Sequence, residues 1–220
     1  MHKYLVDSSY YDYNSSQLID YAKQLVGAET DPINIAVLLY KGVRDDIKYN
    51  AYTFETSAES ISATYCLNQG ESYCIPKAVL LGALCRLYKI PARLGLADVR
   101  NHLASPQFLE YLKSDIFVMH GYTDIFLEGK WVKATPAFDT GLCQLMNLEA
   151  LDFNGREDSI FHEFDNSGER HMEYLKDHGH FAEPPHALIL QSVAEAYPHL
   201  VGDFSKKSER SLYQDIQSHS

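Results

Sequence analysis

The chain reads as an α+β fold, and three observations carry that reading. Apolar residues recur at helical spacing through about the first ninety positions. Two β-rich runs joined by Glu128-Gly129 follow, and a polar stretch rich in His and Asp closes the 220 residues. With 45% hydrophobic and 22% charged residues, the composition suits an ordered domain with a substantial core.

Residues 7–16 are polar and turn-rich and read as a lead-in loop. From Ser16 to Val26 the apolar positions Leu18, Ile19, Ala22, Leu25 and Val26 define a helix that Gly27 stops. Asp31-Pro32 starts a second, as an N-cap followed by proline in the first turn, running through Ile35, Leu38, Leu39 and Val43 toward Tyr49. A shorter helical segment is expected over Ser57–Tyr65. After the turn Gly70-Glu71-Ser72-Tyr73, a helix beginning at Cys74 puts Ala78, Leu81, Gly82 and Cys85 on one stripe, widened by Val79, Ala83 and Leu87. Apolar almost throughout, that helix should be central. Ile90-Pro91 ends it, and Ala92–Ala97 reads as a strand. Ile116–Leu127 and Lys130–Thr135 form the strongest hairpin signal, and Pro136 breaks its second strand. Beyond about residue 140, helices are expected near Gly168–Lys176 and Ala187–Tyr197, and the tail 205–220 is expected to fray.

A net charge of −11 argues against nucleic acid and anionic membranes as partners. No apolar run approaches the roughly 18 to 20 residues of a spanning helix, and the opening Met1-His2-Lys3-Tyr4-Leu5-Val6-Asp7 does not read as a secretory leader. Four cysteines (Cys66, Cys74, Cys85 and Cys143) form no CxxC pair, so reduced thiols in a cytoplasmic setting are expected, with a single Cys66–Cys143 bridge as the alternative.

A cysteine at a helix start, followed by a histidine on a strand, is what thiol acyl transfer needs. Unpaired N–H groups and the positive end of the helix dipole favour a thiolate at Cys74, so a low-pKa thiol is expected there. His120 could pair with it and later return a proton to the leaving group. A third polar group would orient the imidazole, and the Cys74 N–H would be one oxyanion donor. Gln69, five residues upstream, is a second oxyanion candidate.

Three blocks resemble the transglutaminase-like superfamily of papain-like thiol enzymes. They are Val43-Arg44-Asp45-Asp46-Ile47-Lys48-Tyr49; Gly70 through Cys74 to Ile90-Pro91-Ala92-Arg93; and His120-Gly121-Tyr122-Thr123-Asp124 with Gly129-Lys130-Trp131-Val132. The resemblance implies a papain-like core over residues 1–145, its nucleophile helix packed on an antiparallel sheet, and a C-terminal extension over 146–220. That extension either walls the active-site cleft or covers the back of the sheet. Cys74 would be the nucleophile and His120 the base. Ser72 stands where the family commonly has glycine, Tyr122 where it has tryptophan, and Thr135 where it has the orienting aspartate. A two-residue turn at Glu128-Gly129 would set His120 opposite Ala137, making Thr135 and Asp139 diagonal neighbours at roughly 7–8 Å. Asp139 is thus the expected third member and Thr135 the alternative.

The implied reaction is acyl transfer on amide or peptide bonds through a thioester, with hydrolysis favoured over amine transfer. Its partners would be protein, peptide or amide substrates, and it needs no metal or organic cofactor. Two other readings stand beside it. One is an inert binding module that keeps the fold. The other is a metal-dependent hydrolase built on His171, His178 and His180 with Glu163, Glu173 and Asp177; against it, His162-Glu163-Phe164-Asp165-Asn166 lacks the second histidine of HExxH.

Overall fold

The structure, a computed structural model, describes residues 1–102, 104–161, 172–202 and 210–218. Helix α1 spans Ser16–Val26, with the Ser15 side chain accepting from Leu18 N–H and Gly27 ending it at φ 58°. Helix α2 spans Pro32–Asp46, capped by Asp31, whose carboxylate accepts from Ile33 and Asn34. The segment expected at 57–65 divides into a 3₁₀ turn, Glu59–Ile61, and helix α3, Ala63–Gln69. Strands β1 (Lys48–Tyr49) and β2 (Glu71–Ser72) pair in parallel and deliver the chain to helix α4, Cys74–Leu87.

Helix α4 is buried on every side, from Cys74 through Arg86. Helices α1, α2 and α3 cover one flank, and the sheet covers the other. Two buried cations inside it are held by backbone carbonyls. Lys77 donates to the carbonyls of Arg44 and Ile47, where a cation complements the C-terminal end of α2. Arg86 donates to Val6, Ala92 and Ala182, and stacks 3.5 Å above the Tyr11 ring. Neither charge is left without partners, which is the condition for burying it.

The main sheet has the order β5-β4-β3-β6 and is antiparallel throughout. Strand β3 is Ala92–Asn101, β4 is Ile116–Leu127 and β5 is Lys130–Ala134. Leu127 pairs with Lys130 across Glu128 and Gly129, both at positive φ (47° and 84°), as a tight two-residue turn requires. Helix α5, Pro106–Leu112, crosses between β3 and β4, and α6, Thr140–Leu145, follows β5.

The helix expected near Gly168–Lys176 is not formed. Met172–Phe181 is strand β6, paired with β3 along its length, and residues 168–171 lie outside the described residues. Its polar sequence suits an exposed edge strand, and the unpaired edge of β3 supplies hydrogen bonds that the local sequence does not foretell. Helix α7, His186–Ala196, falls where a helix was expected. Within the tail expected to fray, α8 (Leu212–Gln217) is docked: Tyr52 donates to Asp215 at 2.6 Å, and the Tyr213 hydroxyl donates to Asp139. All four cysteines are free thiols. Among the described residues no helix is long and apolar enough to cross a membrane.

Candidate active site

Tyr73 adopts an extended N-cap conformation, so α4 begins at Cys74. Pro76 in the first turn has no N–H to satisfy, and Lys77 N–H returns to the Tyr73 carbonyl. The Cys74 and Ile75 N–H groups act on the Cys74 sulfur together with Gly121 N–H from β4, each lowering the thiol pKa. Burial outweighs them and pushes the thiol up to about 11. The expected low-pKa thiol is therefore not found in this closed arrangement. The physical reason is desolvation, since Cys74 is only 8% exposed.

His120 lines the same pocket as Cys74. It is 3% exposed, and burial pulls its imidazole down to about 4. At neutral pH the pair is thus a neutral thiol and a neutral imidazole. Two backbone features set their approach. A Cβ on Gly121 would lie 2.9 Å from Ile75 Cα, so only glycine lets β4 come this close to the start of α4. Just before His120, Met119 has φ 58° and is the extra residue of a β-bulge, where the register shifts between Ala97 and Val99. Asp98 steadies that bulge, its carboxylate accepting from Met119 N–H at 3.0 Å and pairing with His178 at 2.7 Å. Bulges re-aim side chains next to reactive sites.

Asp139 does not sit as the expected diagonal neighbour. Strand β5 stops at Ala134, where Thr135 N–H turns to the Ser159 carbonyl and Pro136 cannot continue the ladder. Asp139 instead caps α6. One carboxylate oxygen accepts from Leu142 N–H and the Tyr213 hydroxyl, and the other accepts from Tyr49 N–H at 2.8 Å. No hydrogen bond joins it to His120 among the described residues. His120 Nε2 and the Thr135 hydroxyl are both buried without a hydrogen-bond partner among the described residues. Tyr174 of β6 is buried beside Thr135, whose side chain lowers a Tyr174 pKa that burial raises to about 12. Gln69 is exposed at the end of α3 and is not among the residues lining the pocket, because the left-handed Gly70 turns the chain into β2 behind it.

The pocket holding the pair has a volume of about 80 Å³. Its walls are aromatic and aliphatic, contributed by the turn after β1, α5, the start of β4, and Val193 and Tyr197 at the end of α7. Phe161 packs against the His120 ring at 5.7 Å. Residues beyond 150 therefore wall this site.

Of the groups considered for a metal, Glu163 and His171 lie outside the described residues. His178 pairs with Asp98, and His180 pairs with Asp124 at 2.9 Å. Among the described residues, no three His, Cys, Asp or Glu side chains are arranged to hold an ion.

No curated protein matches the chain by sequence. Among solved structures it resembles a candidate cysteine protease from Cytophaga hutchinsonii, with TM-score 0.46 and 20% identity over 60% of this chain and 40% of that one. It also resembles the arylamine N-acetyltransferase from Mycobacterium abscessus, with TM-score 0.41 and 15% identity over 60% of this chain and 46% of that one. The chain thus spans less than half the length of either. The transglutaminase-like superfamily matches residues 19–136, more than half of the sequence, including both Cys74 and His120. By that match the chain belongs to the transglutaminase-like superfamily.

Proposed function

We propose that this protein is a cysteine-dependent acyl-transfer enzyme, with Cys74 as nucleophile and His120 as general base. The observation that carries the reading is Cys74 at the first position of a buried helix, in one pocket with His120, with three backbone N–H groups acting on its sulfur. The resting pair is neutral, so His120 takes the thiol proton as sulfur attacks the carbonyl. The Cys74 and Ile75 N–H groups, free of helix hydrogen bonds, are the donors available to the developing oxyanion. The proton then passes to the leaving group, and water or an amine resolves the thioester. Hydrolysis of an amide or peptide bond is the favoured outcome.

Thr135 is the other candidate for orienting His120: its hydroxyl faces Tyr174 without a full hydrogen bond among the described residues, while Asp139 places both oxygens on other elements. That commitment also favours a second reading, a binding module that keeps the fold without the chemistry. Incubation with p-nitrophenyl acetate separates the two. A catalyst gives a burst of nitrophenol and an acetyl group on Cys74 by mass spectrometry, both lost in Cys74→Ala and strongly slowed in His120→Ala. Turnover unchanged in Cys74→Ala would end the enzymatic assignment to this site.

A further inference from the structure

Among the described residues, the fifteen that line the pocket at Cys74 include no Asp, Glu, Lys or Arg, although the chain carries 49 such residues in all. Its wall is fixed by contacts among its own aromatic rings. Phe108 meets Phe117 edge-to-face at 5.4 Å, and Phe54 lies 5.4 Å from Tyr73. Tyr197 is clamped to β4, donating to the Ile116 carbonyl at 2.7 Å and accepting from Val118 N–H at 3.0 Å. That clamp fastens the end of α7, an element beyond the matched span 19–136, to the strand that carries His120. The cavity volume, about 80 Å³, has room for one compact apolar group and not for a large ligand.

Resting on the acyl-transfer reading above, we propose that the pocket is an acyl site selecting an uncharged apolar acyl group, an aromatic ring or a medium-length aliphatic chain. The acyl group remains bonded to sulfur through both half-reactions, so it is the part of a substrate that must fit beside Cys74 throughout. A charged acyl group would meet no counter-ion among the described residues of the wall and lose its hydration. Each methylene moved from water into the pocket strengthens binding roughly fourfold. In the test reaction a bond forms between Cys74 sulfur and the ester carbonyl carbon, and the bond to nitrophenolate breaks. The thiol proton passes through His120 to the departing oxygen, and water then releases the carboxylic acid and restores the thiol.

The experiment compares the acylation kcat/KM of the full chain for five p-nitrophenyl esters: acetate, butyrate, hexanoate, phenylacetate and the glutarate monoester. With one leaving group throughout, differences report the acyl part alone. Hexanoate and phenylacetate should exceed acetate by at least tenfold, with the charged glutarate monoester slowest. Val193→Phe should flatten this ranking by shortening the pocket, and Val193→Met serves if the larger ring prevents folding. A burst of equal rate with all five esters leaves the catalytic reading intact and overturns the acyl site. Absence of both a burst and alkylation of Cys74 takes both down. A flat acyl series, combined with faster thioester release by apolar than by polar amines, reassigns the pocket to the acceptor and likewise overturns the proposal.

Discussion

Cys74 and His120 would ionise toward each other in a wet cleft, but here burial opposes charge on both and leaves them neutral, at about 11 and about 4. Alkylation of Cys74 by iodoacetamide should therefore quicken about tenfold per pH unit from 7 to 10, following the thiolate fraction. A plateau below pH 8 would instead reveal an ion pair. His120 also links stability to pH. Its folded pKa lies below the ordinary 6.5, so the unfolded chain takes up the proton first. The contribution is complete above pH 6.5 and is lost as pH falls toward 4, by on the order of 2–3 kcal/mol. Urea midpoints should drop over that window, and His120→Gln should show a shallower fall. Asp139 behaves differently, because it joins β1, α6 and α8. Asp139→Asn should cost about 1–3 kcal/mol of stability by mispairing one N–H or hydroxyl, while the acylation rate per folded molecule stays within a few-fold. A rate loss near 10⁴-fold at unchanged stability would return the orienting role to Asp139. The Cys and His candidates were legible because a helix start and a hairpin are written in local sequence. The third member was not: continuing β5 by register ignored that Pro136 and the cap at Asp139 take the chain out of the sheet.

Between elements, the decisive contact is strand β4 against the first turn of α4. Gly121→Ala would drive a methyl into the Ile75 backbone, which cannot give way as a flexible side chain could. We expect acylation to fall by about 10²-fold or more, since a displacement near 1 Å at a reacting pair costs that much, with the melting temperature only modestly lowered. Equal acylation rates in wild type and variant would show that this approach does not set the Cys74–His120 geometry. Gly121 stands beside His120 in the sequence, yet its role needs the third dimension to be read. The same holds for the bulge at Met119, which Asp98 and His178 support from two neighbouring strands. Helices α1 and α2 were readable because caps and apolar spacing agree, and α4, which has no side-chain cap, because its run is apolar almost throughout. Strand β6 was misread because most of its residues are polar and only Met172 is buried, so neither period of apolar residues marks it.

Over the whole molecule, α4, the helices packed on it and strands β3 and β4 build the platform for the pair, while Val193, Tyr197 and Phe161 close the pocket from beyond it. The sheet also joins parts of the chain at unequal separations. Strand β3 meets β4 across roughly sixteen residues at its near end, Arg100 to Ile116, but meets β6 across roughly seventy, Asn101 to Met172. Closing the longer loop carries an extra entropic cost of about 1–1.5 kcal/mol before any ladder bond forms. The β3–β4–β5 meander should therefore assemble early in folding, with β6 zipping onto it late and opening first. In native-state hydrogen exchange, amides of β6 bonded to β3 should exchange well ahead of those between β3 and β4, with opening free energies below that of global unfolding. Uniform protection across all four strands would mean that the edge strand belongs to the same cooperative unit as the meander.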